Sequence, residues 1–350
     1  MITDVTTAGG RGRRHGAVLC LMSLLAILLG AGCLFVGSVD IPVRDVLGAL
    51  TGGDVGREAW RVIVLQTRVP MVVTAAVAGA ALSVAGLLLQ TCFDNPLAGP
   101  SILGVSTGAS LGVALVMLGF GGAFAAGWGQ YVSCLAGALA GAAAVLAVLL
   151  VFSRFVRSTA MLLIVGILVG YFASSAIALL NYFSTQEGVH SYIIWGLGTF
   201  SGVSGDRAAI FACLTVPVVL LSMLLIKPLN ALLLGARYAE SIGVDIRAMR
   251  YRLLIVSGVL TASATAFCGP IGFLGLIVPH VARMSLRSSN HAVLLPCAAI
   301  AGSAMALLCA FISVLPISAG VMPINAITPI IGVPIVIYVI LNRKKLMYFD

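Results

Sequence analysis

The sequence predicts an all-α, polytopic membrane protein, and two observations support this fold class. Of the 350 residues, 61% are hydrophobic and only 9% are charged, whereas a soluble domain has about 25% charged residues. The apolar residues also form long continuous runs, unlike the alternating segments of about ten residues that are typical of a membrane β-barrel. A soluble enzyme, a disordered chain and a nucleic-acid-binding module do not fit this composition.

The apolar runs define about ten transmembrane helices. A span needs about 20 apolar residues. Nine segments meet that requirement: 17–38, 68–92, 101–120, 128–152, 159–183, 207–227, 253–268, 291–313 and 325–341. A tenth segment, 272–285, is shorter and contains Pro279, so we expect neighbouring helices to shield its backbone. The first segment follows three arginines as a secretory signal would, but its length and the lack of a clear cleavage site predict a retained span.

The basic residues predict which loops are cytosolic. Lys and Arg collect on the cytosolic side, and ten spans place both termini there. Fifteen of the twenty basic residues then fall in the N-terminal segment, 153–158, 228–252, 284–290 and the C-terminal segment, or, as Lys227 and Arg283 do, directly beside one of them. The five on the outer side are Arg44, Arg57, Arg61, Arg68 and Arg207. Nine spans would move the last two cytosolic clusters outside, so the charges favour ten.

Two patterns concern how the spans pack. Gly104, Gly108 and Gly112 recur every four residues, as do Gly137 and Gly141, and small residues at this spacing allow helix backbones to approach closely. In each half of the chain, a span opened by an Arg also ends at a Pro-containing break that is followed by Leu-Gly. Because the predicted topology puts these breaks on opposite sides, the pattern indicates an inverted repeat, as in many transporters.

Residues that could carry chemistry inside the membrane are nearly absent. Buried ionisable groups usually mark function there, yet all eleven acidic residues fall in loops or at span ends. No phosphate-binding loop, zinc motif or serine-hydrolase motif is present. We therefore expect no catalytic activity, no cofactor and no metal site. The eight cysteines are interpreted as small packing residues.

If the protein is a transporter, as the inverted repeat indicates, the near absence of ionisable residues inside the membrane leaves its source of energy open. An ion-coupled carrier stays open as an alternative, since sodium coupling can use backbone carbonyls. His280 is the only candidate near the membrane, and we interpret it as part of a capped helix end. Otherwise a partner supplies the energy, which directs attention to the cytosolic segment 228–252. We expect that segment to form two short helices, 230–242 and 245–252, separated by Gly243.

Three runs of motifs resemble the FecCD family, the permease subunits of ABC importers for iron–siderophore complexes, haem and vitamin B12. The first includes Gln66-Thr-Arg-Val-Pro, Gly79-Ala-Ala-Leu-Ser-Val-Ala-Gly, Asn95-Pro-Leu-Ala-Gly-Pro and Leu103-Gly-Val-Ser-Thr-Gly. The second is Leu234-Gly with Ala239 and Ile242-Gly-Val. The third is Gly269-Pro-Ile-Gly-Phe-Leu-Gly-Leu-Ile-Val-Pro-His-Val-Ala-Arg.

The resemblance implies one transmembrane permease domain, 1–350, with a type II ABC importer permease fold. It also implies a homodimer, or sometimes a heterodimer, in the lipid of the cytoplasmic membrane. Two ATP-binding cassette subunits would bind on the cytosolic side and a substrate-binding protein on the other, with no nucleic acid partner. The expected substrate is an iron complex, a siderophore or haem, and vitamin B12 is the alternative within the family.

The same resemblance suggests residues for each task. Asn95 and Leu97 are candidate gate residues, although a helix break set by Pro96 and capped by Asn95 explains them equally well. Arg68 matches a position that presents a basic group to the binding protein, and the alternative is an anchor at the membrane interface. Arg57 and Arg61 are further candidates for docking.

The coupling segment, residues 228–252, is the expected contact with the ATPase. Its candidate residues are Leu233, Leu234, Gly235, Arg237, Tyr238, Ala239, Glu240 and Gly243. Three consecutive leucines, Leu232 to Leu234, cover most of a helix circumference, so at least one should face a partner, and an exposed apolar patch usually marks an interface. Packing against the chain's own span ends is the alternative.

Overall fold

The computed structural model describes residues 3–119, 128–156, 158–315 and 321–341, and these residues form fifteen α-helices. The helices are α1 (Thr3–Phe35), α2 (Val43–Thr51), α3 (Glu58–Ile63), α4 (Val69–Cys92), α5 (Val105–Ala114), α6 (Trp128–Phe155), α7 (Thr159–Phe183), α8 (Gln186–Gly196), α9 (Gly205–Ser222), α10 (Ile226–Leu233), α11 (Ala236–Ser241), α12 (Ile246–Cys268), α13 (Leu274–Leu286), α14 (His291–Ser313) and α15 (Ile324–Leu341).

Each of the ten predicted spans coincides with an apolar helical stretch. Within the described residues, seven stretches are long and apolar enough to cross a membrane: Gly12–Phe35, Glu58–Cys92, Gly129–Phe155, Thr159–Phe183, Gly205–Leu233, Ile246–Cys268 and His291–Ser313. Three are shorter: Val105–Gly119, Leu274–Leu286 and Ile324–Tyr338. The all-helical, polytopic fold class is therefore confirmed.

One end of the bundle gathers the segments that were predicted to be cytosolic, and we call it the basic end. Three hydrogen bonds connect the N-terminal segment, 153–158, 228–252 and 284–290. They join Arg14 Nη2 to Ser285 O (3.3 Å), Asn230 Nδ2 to Asn290 Oδ1 (2.9 Å) and Arg250 Nη1 to Val156 O (3.3 Å). Arg157 and the C-terminal cluster of Arg343, Lys344 and Lys345 lie outside the described residues.

Two helical stretches are longer than a membrane is thick. Glu58–Cys92 has 35 residues because a π-helical turn, Val64–Arg68, joins α3 to α4. At about 1.5 Å per residue it extends about 52 Å, against roughly 30 Å of hydrocarbon. Gly205–Leu233 likewise continues from α9 through a 3₁₀ turn into α10. The first stretch therefore projects at the end opposite to the basic end, and the second projects at the basic end.

The two halves repeat one order of elements: a long span, a break and a short span. The first break, between α4 and α5, contains Asp94 and Gly104 with φ of 45° and 76°. The second, between α12 and α13, contains Gly269 and Phe273 with φ of 79° and 66°. The first break lies at the basic end, whereas α12 begins there and ends on the far side. Opposite positions of equivalent breaks support the predicted inverted repeat.

The glycine pattern places two backbones in direct contact. A Cβ added to Gly112 would overlap the Gly137 carbonyl, and one added to Gly141 would overlap the Gly108 carbonyl. Helices α5 and α6 therefore touch without intervening side chains, as predicted. Gly79 meets Gly302 of α14 and Gly86 meets Gly275 of α13 in the same way, so that α4 is the buried centre of the bundle.

Candidate functional site

The candidate gate is the turn that follows α4 at the basic end. Asp94 adopts a left-handed conformation, and Asn95 Oδ1 accepts a hydrogen bond from the Leu97 N–H at 2.9 Å. This Asx turn is how a short amide side chain stabilises a chain reversal. Leu97 is 44% exposed, and the Asn95 side chain is half-buried. The turn thus presents one apolar side chain on a backbone fixed by its neighbour.

Helix α13 holds this turn through His280 and Arg283, and Arg283 acts through Gln90 of α4. The gate hypothesis included none of these three side chains. His280 Nε2 donates to Pro96 O at 2.8 Å. Arg283 Nη1 donates to Gln90 Oε1 at 2.6 Å, and Gln90 Nε2 donates to Leu276 O at 3.2 Å. His280 and Arg283 are three residues apart and so share one face of α13. That spacing, within the motif Pro-His-Val-Ala-Arg, was the signal available in the sequence.

The coupling segment differs from its predicted helices. The expected helix 230–242 is divided at Gly235, whose φ of 97° a right-handed helix cannot include. Gly243, with φ of 89°, ends α11. Residues 245–252 are not a separate helix but the start of α12, which Asp245 caps by accepting from the Ala248 N–H at 3.0 Å.

The coupling segment exposes four large apolar side chains. Leu233, Leu234, Tyr238 and Ile242 are 47%, 65%, 49% and 55% exposed, and we call these four side chains the coupling patch. Ile242 was not among the predicted contact residues, because that prediction rested on the three consecutive leucines. Arg237 and Glu240 are exposed beside the patch.

Two observations concern how much of this segment can contact a partner. Ala239 is fully buried within its own chain, because it lies on the inner side of α11, so its burial does not support the expected contact with the ATPase. The segment is also not separate from the spans, since α10 continues the helical stretch of α9 and Leu229 is buried in the bundle core.

A polar chain connects α10 to the end of α4. Asn230 Oδ1 accepts from the His291 N–H at 2.8 Å and lies 3.1 Å from His291 Nδ1. On the other side of the ring, His291 Nε2 lies 2.9 Å from Thr91 Oγ1. His291 is fully buried, and sequence reasoning did not single it out.

Arg68 does not lie where a docking residue should. Its side chain is 4% exposed, and its guanidinium donates to Leu34 O at 2.7 Å, Phe35 O at 3.1 Å and Val39 O at 2.5 Å. Two of these carbonyls belong to the last turn of α1, where no helical donor remains for them. The docking hypothesis for Arg68 is therefore unsupported, and the anchor interpretation agrees with these contacts.

Arg57 and Arg61 lie on a small cap at the end opposite to the basic end. Helices α2 and α3 enclose their own apolar cluster of Ile41, Val46, Ala49 and Val64. Arg57 is exposed, with its guanidinium 5.2 Å from the centre of the Trp60 ring. Arg61 donates to Gly53 O at 2.7 Å and pairs with Glu58 at 3.7 Å. Arg57 thus presents its charge to solvent, whereas Arg61 is partly engaged within the cap.

Known proteins resemble the chain over nearly its whole length. The model of the FecCD transport family matches residues 23–342. The vitamin B12 import system permease proteins BtuC of Salmonella paratyphi A and Salmonella typhi are each 33% identical over 342 residues, covering 97% of this chain and all of the relative. A solved structure of a metal-chelate type ABC transporter in an inward-facing conformation superimposes with a TM-score of 0.81 at 28% identity. That match covers 94% of this chain and 99% of the other.

These matches decide between the two energy sources considered. The family consists of non-catalytic transmembrane components of ATP-driven importers, so the alternative of an ion-coupled carrier is not supported. The all-helical bundle with its paired breaks agrees with that assignment. The chain is a multi-pass permease subunit of an ABC importer and belongs to the FecCD transport family.

Proposed function

We propose that this permease subunit carries an iron complex, a siderophore or haem, across the cytoplasmic membrane. The observation that carries the proposal is the full-length likeness to a metal-chelate type transporter within the FecCD family. Vitamin B12 is the second candidate, and the 33% identity to vitamin B12 permeases favours it. All three candidates are bulky metal chelates, so one kind of pathway suits each of them.

The proposed importer contains two copies of the chain, two ATPase subunits and a substrate-binding protein. The basic end faces the cytosol, because Lys and Arg concentrate there, and both termini lie on that side. The coupling patch supports an ATPase contact, since exposed apolar side chains at a polar membrane surface usually mark an interface. The cap with Arg57 and Arg61 faces the binding protein, and Leu97 with Asn95 lies at the cytosolic mouth of the pathway.

Uptake measurements in a deletion strain test the substrate. We expect loss of uptake of a radiolabelled ferric siderophore or of haem, unchanged uptake of labelled cobalamin, and recovery when the wild-type chain is supplied on a plasmid. Loss of cobalamin uptake alone would favour the second candidate. Unchanged uptake of all three compounds would contradict the proposal.

A further inference from the structure

The polar chain through His291 lies among apolar side chains. It joins three elements inside an apolar bundle: α10 through Asn230, the first residue of α14 and the last turn of α4 through Thr91. A buried polar group is costly unless it is hydrogen-bonded, and here each ring nitrogen of His291 has a partner. The chain therefore constrains where α10 lies relative to the end of α4.

The protonation of the imidazole follows from its partners. Asn230 Nδ2 donates to Asn290 Oδ1 at 2.9 Å, and Asn230 Oδ1 accepts from the His291 N–H, so the orientation of this amide is fixed. An amide oxygen only accepts. His291 Nδ1 must therefore carry a proton, and in the neutral imidazole Nε2 then accepts from the Thr91 hydroxyl. The chain runs in one direction, from Thr91 through His291 to Asn230.

The Thr91 hydroxyl has one proton and two acceptors. Besides His291 Nε2 at 2.9 Å, Leu87 O of the same helix lies 3.0 Å away. If α10 and α14 shift, Thr91 can donate to Leu87 O and remain satisfied, so the link can open without leaving a buried hydroxyl unpaired. Two discrete arrangements of this kind are what an element that transmits a movement needs.

Thr91 also lies directly before the candidate gate turn. Its neighbour Gln90 is fixed to α13 through Arg283, and Pro96 is fixed to α13 through His280. The turn is thus held from one side by α13 and from the other by the coupling segment. A displacement of α10 acts directly on the second attachment, because α10 carries Asn230.

We propose that Asn230, His291 and Thr91 form a positioning link through which displacement of α10 by the ATPase moves the gate turn. This rests on the proposed function, because it assumes that the coupling patch is the ATPase contact. His291 and its partners act through the turn and do not touch the substrate.

Removing the Thr91 hydroxyl distinguishes a role in this link from a role in packing alone. The test uses vesicles containing the importer with its ATPase subunits and binding protein, and measures metal-chelate transport and ATP hydrolysis together. Thr91→Val should keep the rate of ATP hydrolysis within about twofold of the wild-type rate. It should lower transport per ATP at least about fivefold, which corresponds to the loss of one net hydrogen bond. Thr91→Ser should retain the wild-type ratio. Thr261→Val is the matched control, because its hydroxyl makes only the equivalent bond within a helix, to Ser257 O at 2.7 Å.

A double-mutant cycle tests whether the three residues act as one link. Asn230 and Thr91 meet only through His291, so Asn230→Ala and Thr91→Val together should lower transport per ATP no further than the stronger single change. Independent effects would multiply instead, and that result would overturn the link. A wild-type ratio of transport to hydrolysis in Thr91→Val would overturn it as well.

A substrate-free measurement keeps the link distinguishable from the proposed substrate. The labelling rate of Leu97→Cys by a water-soluble thiol reagent is measured with and without ATP, and mass spectrometry separates this site from Cys92. ATP should change the rate in an otherwise wild-type chain and in Thr261→Val, but not in Thr91→Val. If ATP changes the rate equally in Thr91→Val, the link is wrong. If only chelate transport is absent, the link stands and the proposed substrate fails.

Discussion

At the scale of single residues, burial decides what a charge does. Arg57 directly precedes the helical stretch Glu58–Cys92 and Arg68 lies within it. Arg68 is buried against carbonyl groups, whereas Arg57 faces solvent. The difference arises from α1, whose last turn ends beside Arg68 and offers unpaired carbonyl oxygens. A guanidinium has five donors in a fixed fork and can satisfy several such acceptors at once.

Arg68 should therefore matter for stability. Arg68→Ala leaves the carbonyls of Leu34, Phe35 and Val39 without this donor, and hydrogen bonds to charged groups contribute about 1.5–3 kcal/mol. We expect a lower thermal midpoint for the purified protein in detergent. Arg57→Ala serves as the control, since exposed substitutions usually change stability by less than about 0.5 kcal/mol. An unchanged midpoint together with weaker binding-protein association would restore the docking hypothesis.

Arg57 should matter for association with the binding protein. Arg57→Glu reverses an exposed charge on the cap, and exposed ion pairs contribute about 1 kcal/mol or less. Such charges act mostly on the association rate, so we expect slower association at low salt and a smaller difference at high salt. Stopped-flow mixing with the labelled binding protein measures this. Arg44→Glu alters another exposed charge of the cap and shows whether the effect on the association rate depends on the position. Equal, salt-independent association rates for wild type and Arg57→Glu would contradict the assignment.

Sequence reasoning reached the types of these residues but not their orientations. Arg68 stands at the start of a span, and such a residue can extend to solvent or fold back on a neighbouring helix. Which of the two occurs depends on where α1 ends in space, and no local pattern encodes that. His291 was missed for the same reason, because its partners lie on α4 and α10, far away in the chain.

At the scale of elements, glycines fix both contacts and boundaries. The four-residue spacing in α5 and α6 predicted their close approach correctly, since a period-four pattern marks one face of a helix whatever its surroundings. The break in the coupling segment was placed at Gly243 alone, although Gly235 also adopts a positive φ. Both glycines interrupt a helix here, whereas the sequence alone shows only that a glycine can do so.

Enlarging a glycine at the α5–α6 contact should separate the helices. Gly112→Val puts carbon atoms where the Gly137 carbonyl lies, and overpacking of this kind costs about 1–3 kcal/mol. We expect a lower thermal midpoint and less folded protein in the membrane. Gly129→Ala in the same α6 helix is the control, because among the described residues no atom lies within 4 Å of the Cβ that it adds. Equal midpoints for Gly112→Val and wild type would show that this contact is looser than described.

The coupling patch gives a prediction about assembly. Leu234→Asp places a charge at its most exposed leucine, which should disfavour burial against the ATPase while leaving membrane insertion intact. We expect lower recovery of the ATPase in pull-downs and loss of transport. Leu47→Asp changes a comparably exposed leucine on the opposite end, at 49%, and should retain the ATPase. A Leu234→Asp variant that purifies with its full complement of ATPase and transports normally would refute the contact.

At the scale of the whole molecule, the charge distribution and the hydrogen bonds agree. The charges predicted which segments share a side, and the contacts of Arg14, Asn230 and Arg250 place four of these segments at one end. The number of spans and their order were also predictable, because long apolar runs have few alternatives in a membrane. Contacts between the segments were not predictable, because they depend on the packing of distant helices.

Thiol labelling tests the orientation of the bundle. In a background where the exposed Cys20 and Cys213 are replaced by serine, Ser158→Cys and Ser288→Cys should resist an impermeant reagent in intact cells. Thr51→Cys on the outer cap should react. All three should react after permeabilisation, which serves as the control. External labelling of Ser288→Cys in intact cells would rule out the ten-span topology.

The glycine contacts have a mechanical consequence for the transport cycle. Where backbone meets backbone, no flexible side chain can absorb a displacement, so α5 with α6, and α4 with α13 and α14, should each behave as a stiff unit. Closely packed interiors shift between discrete arrangements and deform little in a continuous way. In the proposed importer, opening and closing of the pathway should then occur as tilting of such stiff units against each other, with little bending inside any one of them.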